Sequence, residues 1–127
     1  MSRDPREVSE RTIHKAVVNL LRRSAAPGVV WYHVANERRT TPREGATLKR
    51  LGVLAGVADF TVLVPYSLGA PYIAFLELKS AKGVLSPAQR AFRDNVKAIG
   101  CLYSVAHSID EALVTLTRWG AICVAAI

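Results

Sequence analysis

The sequence predicts an α/β (α+β) domain in which a central mixed β-sheet is flanked by helices. Three observations lead there. Helical and strand-like stretches succeed one another as helix, strand, short helix, two strands, helix, strand, helix, strand. The two consecutive strand-like runs are joined by a short loop, which suggests a hairpin. The 127 residues, half of them apolar, suffice for one substantial core and so for a single domain spanning 1–127.

Each element has a local reason. Asp4-Pro5-Arg6-Glu7 offers an N-cap, a proline at the first helical position and an acid at the third. Ile13, Ala16, Val17, Leu20 and Leu21 then recur at helical spacing, which predicts a helix from about Pro5 to Ser24. Pro27-Gly28 breaks it, and the β-branched and aromatic run Val29 to Val34 predicts a strand. Between Asn36 and Arg50 lie Arg38, Arg39, Arg43, Lys49 and Arg50 against only Glu37 and Glu44, ending in a short helix from Ala46 to Leu51.

Gly52 and Gly56 punctuate the chain before the strand-like Asp59 to Val64, and a second such run, Tyr72 to Lys79, follows the Pro65 to Pro71 loop. Ser86-Pro87-Ala88-Gln89 is a capping box opening a helix whose apolar stripe is Ala88, Phe92, Val96 and Ile99, and Gly100 ends it. A strand from Cys101 to Ala106 is followed by Ser108, the cap of a last helix reaching about Trp119, and by a final short strand over Ala121 to Ala126.

The bulk properties narrow the function. Seventeen basic residues against ten acidic ones give a formal net charge of +7, which favours association with a polyanion, although charge alone is equally compatible with simple solubility. Met1 to Glu10 is polar, unlike an export signal, and no apolar run is long enough to span a membrane. Cys101 and Cys123 lie in apolar stretches and read as buried free thiols, so an intracellular, cytoplasmic protein is expected. His14, His33 and His107 show no ligand spacing, which argues against a structural zinc site.

The chemistry concentrates around the hairpin. Side chains alternate along a strand, so Glu77 and Lys79 share a face. A loop centred on Leu68 pairs Val64 with Tyr72, and counting back places Asp59 opposite Glu77. Two adjoining carboxylates repel unless a cation neutralises them, and magnesium or manganese, which accept a few oxygen ligands and keep several waters, suit such a pair. The competing account is an exposed strand end in which Lys79 pairs with one of the acids. Against it, Glu77 sits within the apolar run Ala74-Phe75-Leu76-Glu77-Leu78, where an ionised acid needs a reason.

Glu10 shares a helical face with Ile13 and Val17, so it is expected to extend the core-facing stripe and to serve a second metal or a water. An acid favoured by the helix dipole explains it as well. Gln89 completes a capping box without needing a catalytic role, and Lys82 with Gly83 suits either a phosphate contact or a solvated turn. The arginines between Arg38 and Arg50 are the expected phosphate-contacting group, with a merely solvated loop as the competing account.

Three segments, Gly52-Val53-Leu54-Ala55-Gly56-Val57-Ala58-Asp59, Phe75-Leu76-Glu77-Leu78-Lys79 and Leu85-Ser86-Pro87-Ala88-Gln89, resemble in order the glycine-flanked Asp, the Glu-x-Lys and the Ser-Pro-x-Gln segment of the VRR-NUC branch of the PD-(D/E)XK nuclease superfamily. The resemblance runs from Glu10 to the helix beginning at Ile109 and implies a restriction-endonuclease-like core. It implies that Asp59, Glu77, the Leu78 backbone carbonyl and Glu10 hold Mg²⁺ or Mn²⁺, that Lys79 is the catalytic lysine, and that Gln89 supports the site. Ala58 replaces the proline usual before the Asp, and Asn36-Glu37-Arg38 replaces an asparagine followed by glycines.

Small stand-alone members resemble phage and bacterial proteins that act as homodimers on branched DNA, four-way (Holliday) junctions included. The expected function is therefore a structure-selective, metal-dependent DNA endonuclease. Two alternatives stay open: a nuclease of flaps, nicks or duplex DNA, as in restriction or repair, and a basic DNA-binding module without catalysis. Arg38, Arg39, Arg43, Lys49, Arg50 and Lys82 are the expected DNA contacts.

Overall fold

The computed structural model describes residues 8–35 and 41–123. Its elements are α1 (Glu10–Ser24), β1 (Val30–His33), α2 (Pro42–Arg50), β2 (Phe60–Val64), β3 (Tyr72–Leu78), α3 (Pro87–Ala98), β4 (Leu102–Ala106) and α4 (Ile109–Arg118). The strands form one mixed sheet in the order β1-β2-β3-β4. β1 and β3 each run antiparallel to β2, while β4 runs parallel to β3 after the α3 crossover. The expected α+β architecture and the hairpin register are both present, with Val64 paired to Tyr72.

Alternation along the strands divides the sheet's two faces. Phe60, Val62, Val64, Ala74, Leu76, Leu78 and Ala106 pack with Ile13, Val17 and Leu21 of α1 and Ala112 and Leu116 of α4 into a single buried cluster. On the other face Phe75 meets Phe92 of α3 edge to face, with ring centroids 5.0 Å apart. Glu77, two residues beyond Phe75 on β3, therefore emerges on the α3 side.

Several boundaries differ from the sequence reading. α1 starts at Glu10 behind Ser9, whose hydroxyl accepts the Thr12 N–H, and Val8 and Ser9 are not helical. The Asp4 to Glu7 cap expected for it lies outside the described residues. α2 begins earlier than expected, at Pro42, because Thr41 caps it through the Glu44 N–H. Of the expected last strand, Ile122 makes one antiparallel bridge with Ala25, and residues 124–127 lie outside the described residues.

The α3 stripe is shorter than its spacing suggests. Phe92 is buried and Val96 half-buried, but Ala88, in the first turn, is exposed and Ile99, which caps the helix, is 80% exposed. Neither cysteine is buried as expected. Cys101, in the turn between α3 and β4, is half-buried and Cys123 is exposed, and both are free. No helix among the described residues is long and apolar enough to cross a membrane.

Candidate active site

Asp59 immediately precedes β2, one step beyond the last hairpin pair, Phe60 with Leu76. A regular ladder would give the Leu78 N–H a backbone acceptor there. Instead the Asp59 carboxylate accepts it at 2.7 Å, closing the end of the sheet with a charged oxygen. The Asp59 carbonyl is also occupied, receiving the Val34 N–H at 2.9 Å and approaching His33 Nδ1 at 2.7 Å. Asp59 is thus tied to both β1 and β3, and it is only 5% exposed.

Glu77, 4% exposed, lines with Asp59 a cleft of about 160 Å³ whose opposite wall includes Gly56, Ser86 and Gln89. Gln89 serves twice. Its Oε1 accepts the Ser86 N–H at 2.8 Å, completing the capping box, and its Nε2 donates to Glu77 Oε1 at 3.2 Å. Cap and site are therefore one side chain. Gly56 lets this wall approach: at φ 82° it faces the first turn of α3 so closely that a Cβ would lie 2.7 Å from the Gln89 nitrogen and closer still to the Ala88 carbonyl.

Tyr103 of β4 joins these acids from the neighbouring strand. Burial, then the negative charges of Glu77 and Asp59, push its phenol above the usual tyrosine range, with Arg93 acting the other way. The phenol oxygen is buried and makes no hydrogen bond among the described residues.

Asp59 also borders a second, larger groove of about 640 Å³ on the α1 side, lined among others by Glu10, His14, His33 and Leu78. Glu10 does not extend the buried stripe as expected. Ile13 and Val17 are buried, but Glu10, the first residue of α1, is exposed. The acid instead stands at the mouth of this groove, facing the same cleft system as Asp59.

Lys79 follows β3, anchored by its N–H to the Ala106 carbonyl at 3.0 Å, and is half-buried. It lines neither cleft. Its aliphatic stem runs beside Gly83, where an added Cβ would meet Lys79 Cβ at 3.1 Å. His107 Nε2 bonds to the Gly83 carbonyl at 3.1 Å, holding the turn that carries the exposed Lys82. Arg43, Lys49 and Arg50 lie exposed on α2 and line neither cleft, and Arg38 and Arg39 lie outside the described residues.

Two of the histidines, distant in sequence, come together in the fold. His14 and His33 meet with their ring centroids 4.3 Å apart, and with Asp59 they offer ligand atoms all within 4.8 Å of one another. Sequence spacing missed this because the contact depends on β1 pairing with β2, which sets His33 against Phe60 and next to Asp59. The one available signal was that His14 follows Glu10 by a helical turn and so shares its face.

Fold and cleft together define an α+β domain with a buried acid pair at the end of a mixed four-stranded sheet, backed by helices on both faces. Known structures share this fold. One named "VRR_NUC domain protein" superposes with a TM-score of 0.70 at 21% identity, over 88% of this chain and 88% of that one. A second, named "VRR_NUC domain", superposes with a TM-score of 0.55 at 16% identity, over 87% of this chain and 97% of that one. The fold is that of a VRR-NUC domain, as the three motif segments suggested. Neither a family model nor a curated protein matches the chain.

Proposed function

We propose that this protein is a metal-dependent endodeoxyribonuclease that hydrolyses phosphodiester bonds in branched DNA, four-way junctions included, as a homodimer. The observation that carries the reading is the shared cleft in which Asp59 and Glu77, 5% and 4% exposed, stand together. Two buried carboxylates at one site are held apart in charge most readily by a cation, and an all-oxygen donor set fits Mg²⁺ or Mn²⁺. Asp59, Glu77 and the Leu78 carbonyl would hold it, with Glu10 at the neighbouring groove. The Leu78 N–H points at Asp59, and in a strand the carbonyl of the same residue points to that side as well. When bound, the cation supplies Lewis-acid activation and charge neutralisation at a phosphate.

The chain's own residues do the remaining work. Gln89 fixes one oxygen of Glu77 and leaves the carboxylate oriented into the cleft. Lys79, which follows β3 two residues after Glu77 and lines neither cleft, would reach the bound phosphate with its flexible side chain to stabilise the charge developing there. The basic residues of α2 and Lys82 bind the DNA backbone without reading bases. A branched substrate cut symmetrically needs two sites, which the homodimer provides.

The test is a panel of labelled four-way junction, flap, nicked and linear duplexes with Mg²⁺ and then Mn²⁺. Junction cleavage that is lost in Glu77→Ala and Lys79→Ala, with DNA binding retained, supports the reading. Preference for flaps, nicks or linear duplex overturns its substrate, and binding without cleavage under either metal leaves a DNA-binding module. Solution mass of twice 13.8 kDa is expected for the dimer.

A further inference from the structure

On the α1 side of Asp59 the chain assembles a donor set unlike the acid pair across the sheet end. His14 comes from α1, His33 from the end of β1 and Asp59 from the start of β2, and one ligand atom from each lies within 4.8 Å of the others. We propose that these three side chains form a second metal site, selective for a transition ion such as Co²⁺ or Zn²⁺ over Mg²⁺, with Asp59 common to both sites.

The imidazoles are held in place. Both pack against Phe60, which is fully buried, in tilted contacts with centroids at 4.8 Å for His14 and 5.6 Å for His33, so the two rings share one apolar wall. The His33 tautomer is set as well. Its Nδ1 lies 2.7 Å from the Asp59 carbonyl, an atom that can only accept, so Nδ1 carries the hydrogen and the neutral ring keeps its lone pair on Nε2. A backbone carbonyl orienting a histidine in this way is the usual outer support of an imidazole ligand.

The donor types decide the metal. Imidazole nitrogens favour Co²⁺ or Zn²⁺, whereas Mg²⁺ and Mn²⁺ take oxygens and water. Bonds of about 2.0–2.1 Å draw ligand atoms closer than the observed spread, so metal binding requires a small shift of the half-buried His14 side chain toward His33 and Asp59. Arg11 and Lys15 border the same groove; they weaken cation affinity but bring phosphate to the site.

The site stands on geometry alone and is tested without DNA, so failure of the nuclease reading leaves it untouched. The tag-free protein is titrated with Co²⁺, following its ligand-field absorption, in the presence of excess Mg²⁺. One Co²⁺ per chain that Mg²⁺ fails to displace is expected, with affinity lowered on the order of tenfold or more in His14→Gln and in His33→Gln and unchanged in Glu77→Gln. In the unaltered protein, Zn²⁺ should shift the imidazole resonances of His14 and His33 and leave those of His107. Absence of the Co²⁺ band, its displacement by Mg²⁺, unchanged affinity in His14→Gln, or resonance shifts confined to His107 would each overturn the proposal.

Discussion

The Asp59 carboxylate and the Leu78 backbone N–H are hydrogen-bonded at 2.7 Å inside the protein, so one acid both closes the sheet and faces the two clefts. The roles separate by substitution. Asp59→Asn keeps an oxygen for Leu78 and relieves repulsion with Glu77, so stability should hold or rise while cleavage is lost. Asp59→Ala leaves the buried N–H without an acceptor, a cost of about 1–3 kcal/mol. Urea denaturation of both variants beside a cleavage assay checks this, and equal destabilisation of the two would contradict it.

Gln89 offers a similar separation. Gln89→Glu retains an oxygen for the Ser86 N–H but sets a carboxylate where Nε2 now donates to Glu77. Helix capping should survive and cleavage should fall, with the loss partly relieved by raising the metal concentration. Gln89→Ala loses both contacts and about 1 kcal/mol of stability. Thermal unfolding paired with metal-dependent rates distinguishes the two variants.

What could be read from the sequence and what could not follow from the range of the contacts involved. The Val64 with Tyr72 pairing was legible because a short loop sets its own register, and the Ser86 to Gln89 box because its partners lie three residues apart. That the same Gln89 reaches Glu77 was not, since it depends on α3 crossing the Phe75 face. Glu10 was misjudged because helical spacing gives an angle around the axis but not whether the first turn is covered by the rest of the fold. His14 with His33 required the β1–β2 register, to which no local pattern speaks.

Gly56 should be among the least replaceable positions outside the acids. A methyl there combines a positive φ of 82° with a collision against the backbone of Ala88 and Gln89, where no side-chain movement can relieve it. Gly56→Ala should cost about 2 kcal/mol or more, from the left-handed conformation and the overpacking together. It should also lower activity, because α3 must retreat and carry Gln89 from Glu77. Gly100→Ala, with a similar φ of 94° but open space around it, is the control: a smaller loss and normal activity are expected.

Tyr103 gives the pH dependence a defined sign. Its phenol is raised above its ordinary value of 10 by burial and by the charges of Glu77 and Asp59. Below that pH the phenol is neutral in both folded and unfolded chains, so it contributes no pH dependence. As pH rises past 10 the unfolded chain ionises first and binds fewer protons, so stability declines toward the higher folded value. Tyr103→Phe removes this decline, and because the hydroxyl makes no hydrogen bond among the described residues, the variant should be as stable as the parent, or more so, at neutral pH. Urea midpoints across the alkaline range test both statements. In the ultraviolet phenolate titration of the folded protein, one of the four tyrosines should ionise only at the most alkaline end, and that delayed step should vanish in Tyr103→Phe.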